Sequence, residues 1–458
     1  MRPYDTSFLP VSDILTQTKF FLSWIATAAI VLSPALMLSM KGGTGYCFFI
    51  VLALSLLHLG NREYRIQAAR LWREHRWFLA SLFGLPCIVL FQILVMRTGT
   101  FPSLDPLLRL PLAIPSFFFL ASMQSRQLRM VQWGFAAGAL AAGAWSIYAL
   151  SHPAVWTDGT RLGNSFTNPI PFGDTALLLG FLSIASLRRA DTRGHPVEIA
   201  IKFAALVGGL FASYLSGTRG GWIAIPVLLW FTVSGRHWLA ARSVRIVLIA
   251  AIVGGATGAV STHDIRARFT AIATDLQKMR EGNADTSTGA RLELWRASAL
   301  LYTRHPVLGV GRGSLAKSLG ALSAHGEAPN YIVNDRAHND FFSILAEMGT
   351  VGVAALLLLY SATFMMFWRL RRNADPEIAT AAYLGLLIVS ATILFGMTID
   401  VFTLVMNVAF FALTIVTLLA WIEARKREIA QSDRITAATR PIDIGDASRQ
   451  RSTSIPGK

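Results

Sequence analysis

The stretch from Asn334 to Gly352, N-D-R-A-H-N-D-F-F-S-I-L-A-E-M-G-T-V-G, holds the residues of this chain best suited to proton transfer. Phe341, Phe342, Ile344, Leu345 and Met348 recur at helical spacing. This predicts an amphipathic helix with Asn334 or Asp335 near its start and Gly349 just past its end. His338 then falls in the first turn, on the face of Phe341, Phe342 and Leu345, while Arg336, Asp340, Ser343 and Glu347 form a second stripe. An imidazole between a basic and an acidic neighbour can accept a proton near neutral pH. Polar first-turn residues are also the ordinary way a helix satisfies its free amides, so spacing alone leaves base and cap both open.

A second kind of chemistry is anion binding. Arg161, Arg219, Arg266, Arg268, Arg291, Arg296, Arg304, Arg312 and Arg336 fall on the side of the chain that is otherwise poor in basic residues. Arg219 sits in S-G-T-R-G-G, a tight turn between two apolar runs, whose small neighbours let a bulky anion approach the backbone. Arg291 is expected to begin a helix running through Tyr302, where a free helix end and a planar fork donor can hold one phosphate. A snorkelling interfacial role is the alternative for Arg219. No metal is expected. His152, His263, His305, His325 and His338 do not pair at i, i+4 with another ligand, and Asp335, Asp340 and Glu347 follow no recognised cation-loop spacing. No G-x-S-x-G elbow follows a strand. Gly309, Gly311 and Gly313 read as a flexible turn rather than a phosphate loop, since no strand precedes them.

The elements that must position these residues are apolar. The chain has 458 residues, 53% hydrophobic and 15% charged, with a mean hydropathy of +0.49. That composition implies an all-α polytopic membrane protein. The net charge of +16 does not point to nucleic acid, because the basic residues cluster in short connections between apolar runs. Cys47 and Cys87, both inside apolar runs, imply neither a disulfide framework nor a thiolate metal site. The run from Phe20 to Met40 is too long for a signal-peptide core and reads as the first span.

About twelve apolar runs can cross a bilayer. They are Phe20 to Met40, Gly45 to Leu59, Trp77 to Val95, Leu107 to Met123, Val131 to Leu150, Ile170 to Leu187, Val197 to Leu215, Gly221 to Ser234, Ile246 to Val260, Val351 to Trp368, Ile378 to Ile399 and Phe402 to Trp421. Both termini in the cytoplasm put the basic connections on one side: Arg62 to Arg76, Arg126 with Arg129, Arg188 to Arg193, Arg236 to Arg245, and Arg369 to Arg372. The expected organisation is about nine helices in residues 1–260, an external helical segment at 261–350, about three helices at 351–422, and a disordered basic cytoplasmic tail at 423–458. In the external segment, Asp264 to Arg280 and Thr288 to Tyr302 are predicted helices, the latter with Leu292, Trp295 and Ala299 on one face.

S-G-T-R-G between two spans, then R-L-E-L-W-R followed by H-P-V-L-G-V-G, then A-H-N-D-F-F-S-I-L-A-E-M-G-T-V-G leading into a span, resembles the O-antigen ligase and polymerase family of bacterial envelope glycosyltransferases. The resemblance covers about Ser216 to Val353. It implies a GT-C-type membrane fold in the inner membrane with a periplasmic active site, His338 as general base, and Arg219 and Arg291 as binders of the donor diphosphate. Arg161, Arg312, Arg336, Asn339, Asp340 and Glu347 are supporting candidates. The implied reaction moves O-antigen glycan from undecaprenyl diphosphate to lipid A-core in lipopolysaccharide biosynthesis, with no cofactor, no metal, no nucleic acid, and only membrane lipids as further partners. A single long external segment fits the ligase better than the polymerase, and the short tail argues against a protein O-oligosaccharyltransferase. A transporter or flippase for a lipid-linked glycan is the reading from another class. It would place ionisable residues near the bilayer midplane, where the sequence offers few, Asp174 and Asp400 lying near span ends.

Overall fold

The computed structural model describes residues 11–156, 161–187, 196–234 and 286–439. The first half of the chain forms α1 (Val11–Ala35), α2 (Gly43–Leu57), α3 (Arg62–Glu74), α4 (Arg76–Ser81), α5 (Gly84–Phe91), α6 (Phe101–Leu120), α7 (Ser125–Leu128), α8 (Val131–Leu150), α9 (Pro169–Ala185), α10 (Pro196–Ser216) and α11 (Arg219–Ser234). Beyond Thr286 come α12 (Ser287–Arg304), α13 (Leu315–Ala324), α14 (Asp340–Leu370), α15 (Pro376–Phe395) and α16 (Val405–Thr439). Among the described residues there is no strand, only one isolated bridge between Asn164 and Thr167.

Seven of these helical stretches are long and apolar enough to cross a membrane, so this is a multi-pass membrane protein. The bent pair α2 and α3, turned by 118°, would make an eighth, and Phe20–Ala35, Pro169–Ala185 and Gly220–Ser234 are shorter apolar helices. These account for part of the twelve expected runs among the described residues. The run from Ile246 to Val260 and the predicted helix from Asp264 to Arg280 lie outside the described residues, as do His263, Arg266 and Arg268. One reason apolar runs exceed full-length spans is burial within the bundle. Nearly every residue of α9 is buried, so its 17 residues, about 26 Å of helix, need match no lipid thickness. α9 packs on α8, α10, α11 and α15.

At one end the basic connections meet. Glu428 accepts from the Ser125 amide and hydroxyl at 2.8 and 2.7 Å, Arg425 pairs with Asp375 at 2.9 Å, and Arg129 lies 3.5 Å from Glu377. The tail from Glu423 was expected to lack structure, yet α16 continues helical to Thr439. Glu423, Arg425, Arg427 and Glu428 all find partners there, which extends the helix past its apolar stretch.

The segment from α12 to the start of α14 has a core of its own. Leu294, Ala297 and Leu301 of α12 pack with Leu315, Leu319 and Leu322 of α13 and with Ile332, Ala337 and Ala346. The inward stripe of α12 is therefore Leu294, Ala297 and Leu301 at i, i+3, i+7. Leu292, on the expected face with Trp295 and Ala299, is exposed.

Candidate active site

The helix expected to begin near Asn334 begins at Asp340. Asn339 is its cap, its side-chain oxygen accepting from the Phe341 and Phe342 amides at 2.9 and 3.3 Å. His338 therefore lies outside the helix, with a backbone φ of +49°. A non-glycine residue in that region costs free energy and persists only where its neighbours over-determine it. Here the neighbours are evident. The Trp295 indole donates to the Ala337 carbonyl at 2.9 Å and stacks on Phe342 with ring centres 5.1 Å apart, while Asn339 donates from its backbone to Asp400 at 3.2 Å and from its amide to the Met397 carbonyl at 3.1 Å. The chain is pinned on both sides of the histidine. The capping role that spacing left open for His338 belongs to Asn339.

His338 Nε2 lies 3.0 Å from Asp335 Oδ1, and Asp335 is itself fixed by the Arg336 amide at 2.9 Å. This is the arrangement of a ring oriented by a carboxylate, with Nδ1 left for other work. Neither side chain is deeply buried: His338 is 35% exposed and Asp335 46%.

Below the histidine, the start of α14 locks to the turn between α15 and α16. The Asp340 amide donates to the Gly396 carbonyl at 2.7 Å, Asp340 Oδ1 accepts from the Phe402 amide at 3.2 Å, and Ser343 donates to Asp400 at 2.6 Å. Asp340 is thus a buried structural partner and not a solvent-facing one. Asp400 is a residue that spacing missed as a member of the site. Its only signal was an acidic residue closing an apolar run.

Gly349 does not end the helix; it breaks it, with φ 62° and ψ −158° inside the continuous run of α14. The break strands the carbonyls of Ala346 and Glu347 and the amides of Thr350 and Val351. The segment His305 to Gly313 supplies their partners: Val310 and Gly311 amides donate to Ala346 and Glu347 at 3.0 and 2.9 Å, and Thr350 and Val351 donate to Pro306 and Val307 at 2.8 and 3.2 Å. The predicted flexible turn is therefore a packed strap. A Cβ on Gly309 would strike the backbone of Glu347, and one on Gly311 the backbone of Thr98, while both glycines hold positive φ. Gln92, unnoticed inside an apolar run, completes the joint by donating to the Leu308 and Glu347 carbonyls at 2.6 and 2.8 Å.

Arg312 closes the strap. It is 2% exposed and pairs with Glu347 Oε2 at 2.6 Å, and Glu347 Oε1 accepts from the Gly313 amide at 2.9 Å. Both side chains, candidates for substrate or cation contact by sequence, are taken up by each other and by backbone. Together with Asp335, Arg336, Ser343 and Asp400 they line a cavity of about 410 Å³.

The S-G-T-R-G turn forms a second locus. Gly217 has φ +65°, and Arg219 opens α11. Arg161 Nε donates to the Ser216 carbonyl at 3.1 Å, so Arg161 reaches the same turn. Gly220 abuts Thr398, and Asp174, fully buried, lies 2.6 Å from where a Cβ on Gly221 would stand. Residues 396–400 thus touch this turn through Thr398 and the His338 region through Gly396, Met397 and Asp400. Arg291 does not begin its helix: Thr286 caps α12, accepting from Gly289 at 3.1 Å, and Arg291 sits a turn further on. It precedes Trp295 by four residues, on the α12 face that clasps Ala337. Arg161 and Arg291 are not among the residues that line the cavity.

Residues 204–357 match the family described as O-Antigen ligase. That segment of the chain, about a third of its length, is similar to the O-antigen ligase family. Its matched region contains the S-G-T-R-G turn, α12, the strap, His338 and the Gly349 break, so the ligase-family segment is the assembly just described. Proteins of this family handle lipid-linked glycans at a membrane. An uncharacterized protein of Haemophilus influenzae is 24% identical over 255 residues, 53% of this chain and 64% of the relative's own length.

Proposed function

We propose that the protein transfers a glycan from undecaprenyl diphosphate to a sugar hydroxyl of lipid A-core, at the periplasmic face of the inner membrane. The observation that carries this reading is His338, held at a costly backbone angle with Asp335 on Nε2, within a segment matched to the ligase family. With Nε2–H donated to Asp335, Nδ1 takes the proton of the acceptor hydroxyl. The freed oxygen attacks the anomeric carbon, the bond from that carbon to the phosphate oxygen breaks, and the electron pair leaves with undecaprenyl diphosphate. Asp335 stabilises the imidazolium formed. A base of this kind contributes on the order of 10²- to 10⁴-fold.

Arg219 and Arg291 are assigned to the diphosphate, where fixed guanidiniums offset the charge that builds on the leaving group. Arg161, beside the same turn, supports Arg219. One direct displacement inverts the anomeric centre. The basic end is assigned to the cytoplasm, since Arg62, Arg126 and Arg371 lie there and the active-site end faces away from it.

Reconstitution tests the proposal: purified protein, undecaprenyl diphosphate glycan and lipid A-core should yield the joined product, and EDTA should leave its rate unchanged. Loss of turnover on chelation, restored by magnesium or manganese, would reverse the metal-free reading. Product that instead extends the lipid-linked glycan would make the protein a polymerase.

A further inference from the structure

The cavity of about 410 Å³ lined by Asp335, the partner of His338, falls in the range of small-molecule sites, about 300–1,000 Å³. We infer that it seats a sugar ring of the acceptor and excludes the donor diphosphate, a division of labour that rests on the transferase reading above. Charge makes the first argument. Asp335, Glu347 and Asp400 line the cavity against two guanidiniums, Arg312 and Arg336. Arg312 is already committed to Glu347 at 2.6 Å. Among the described residues, a diphosphate entering here would meet Asp335 and Asp400 with only Arg336 to balance it, and like charges at close range disfavour binding strongly in a partly dry site. A neutral ring carries no such penalty. Its hydroxyls can donate to the carboxylates, while Ser103 and Thr403 add hydroxyl partners.

Shape supports the same occupant. Pro102 and Pro106 give the cavity flat apolar surface, which suits the C–H face of a pyranose. The wall is stiff, because Gly313 and Arg312 belong to the strap that completes the hydrogen bonding of α14. Position decides which substrate the ring belongs to. Asp335 both lines the cavity and holds His338 Nε2, so a ring seated here is one carboxylate away from the imidazole that takes the acceptor proton. Arg291, assigned to the donor, sits on α12 and is not among the residues that line the cavity.

Ala316 offers the test, since it lines the cavity yet is solvent-exposed on α13 and its replacement leaves the core intact. In the full-length protein, Ala316→Trp should raise the acceptor KM at least tenfold with the donor KM within twofold of the parent. In a Cys87→Ser background, with Cys47 buried, Ala316→Cys should be labelled by a soluble maleimide. Dephosphorylated core oligosaccharide should slow that labelling at least fivefold, and geranyl diphosphate should not. Protection by the diphosphate alone, protection by neither probe, or a rise in donor KM for Ala316→Trp overturns the assignment. Absence of joined product from the parent protein defeats the transferase reading instead, and the labelling result then upholds or overturns the sugar seat by itself.

Discussion

At His338 the backbone φ of +49° and the 3.0 Å contact to Asp335 make separable demands, one on folding and one on the ring. His338→Ala should lose about 10²- to 10⁴-fold in turnover while retaining donor binding, because a base acts on the acceptor proton and contributes little to holding a diphosphate. Asp335→Asn should cost less, about tenfold in kcat with donor KM unchanged, since the amide still orients the ring but no longer offsets the imidazolium charge. The half-exposed setting of the pair keeps that effect modest. Turnover and donor binding measured on the same purified samples check both. A His338→Ala protein that transfers glycan near the parent rate would remove the catalytic assignment.

The strap is the element on which the site depends. It restores the hydrogen bonds broken at Gly349 and carries Arg312 to Glu347, both nearly excluded from solvent at 2% and 7%. Arg312→Ala leaves a buried carboxylate without its partner and should destabilise the folded protein by about 3–5 kcal/mol. Replacing both, Arg312→Met with Glu347→Leu, should recover part of that loss, because no uncompensated charge remains. Thermal unfolding in detergent distinguishes the two. Equal stability of the single and double variants would mean that the pair is not what holds the strap. The same break explains why α14 can carry a polar site at its start and a membrane span after it: Gly349 lets the two halves change course without leaving backbone groups unsatisfied.

For the whole molecule, the positive-inside expectation puts the basic connections in the cytoplasm and the candidate site outside. A cysteine at position 324 should react with a membrane-impermeant thiol reagent in intact cells and one at position 371 should not. The reverse pattern would invert the orientation. The basic end also carries a pH signature. Burial alone would raise the Asp375 carboxyl, but the hydrogen bonds from Arg425 and from the Ile378 and Glu377 amides outweigh it and hold it below the ordinary carboxylate range. A carboxyl depressed in the folded state stabilises fully above its unfolded value, near pH 4, and that contribution fades as pH falls through the lower folded value. Asp375→Asn should therefore lower the melting temperature at pH 6 and narrow the gap to the parent below about pH 4. A gap that stays constant from pH 6 to pH 3 would exclude the linkage.

Composition and periodicity by themselves determined that the chain is helical and crosses a membrane repeatedly, because a bilayer demands long apolar runs and leaves them readable in order. The same local patterns marked His338 and the S-G-T-R-G turn. What they could not supply was any relation between distant segments. Spacing put His338 in a first turn, whereas Asn339 takes the cap because its side chain and backbone are also held by Met397 and Asp400, some 60 residues on. Spacing read Gly309, Gly311 and Gly313 as freedom, whereas their missing side chains allow close approach to Glu347, Thr98 and Thr100. The pairing of Arg312 with Glu347 and the entry of Gln92 and Asp400 into the site were decided by tertiary packing alone. Each depends on burial, which fixes the partner of a polar group only when the chain has folded around it.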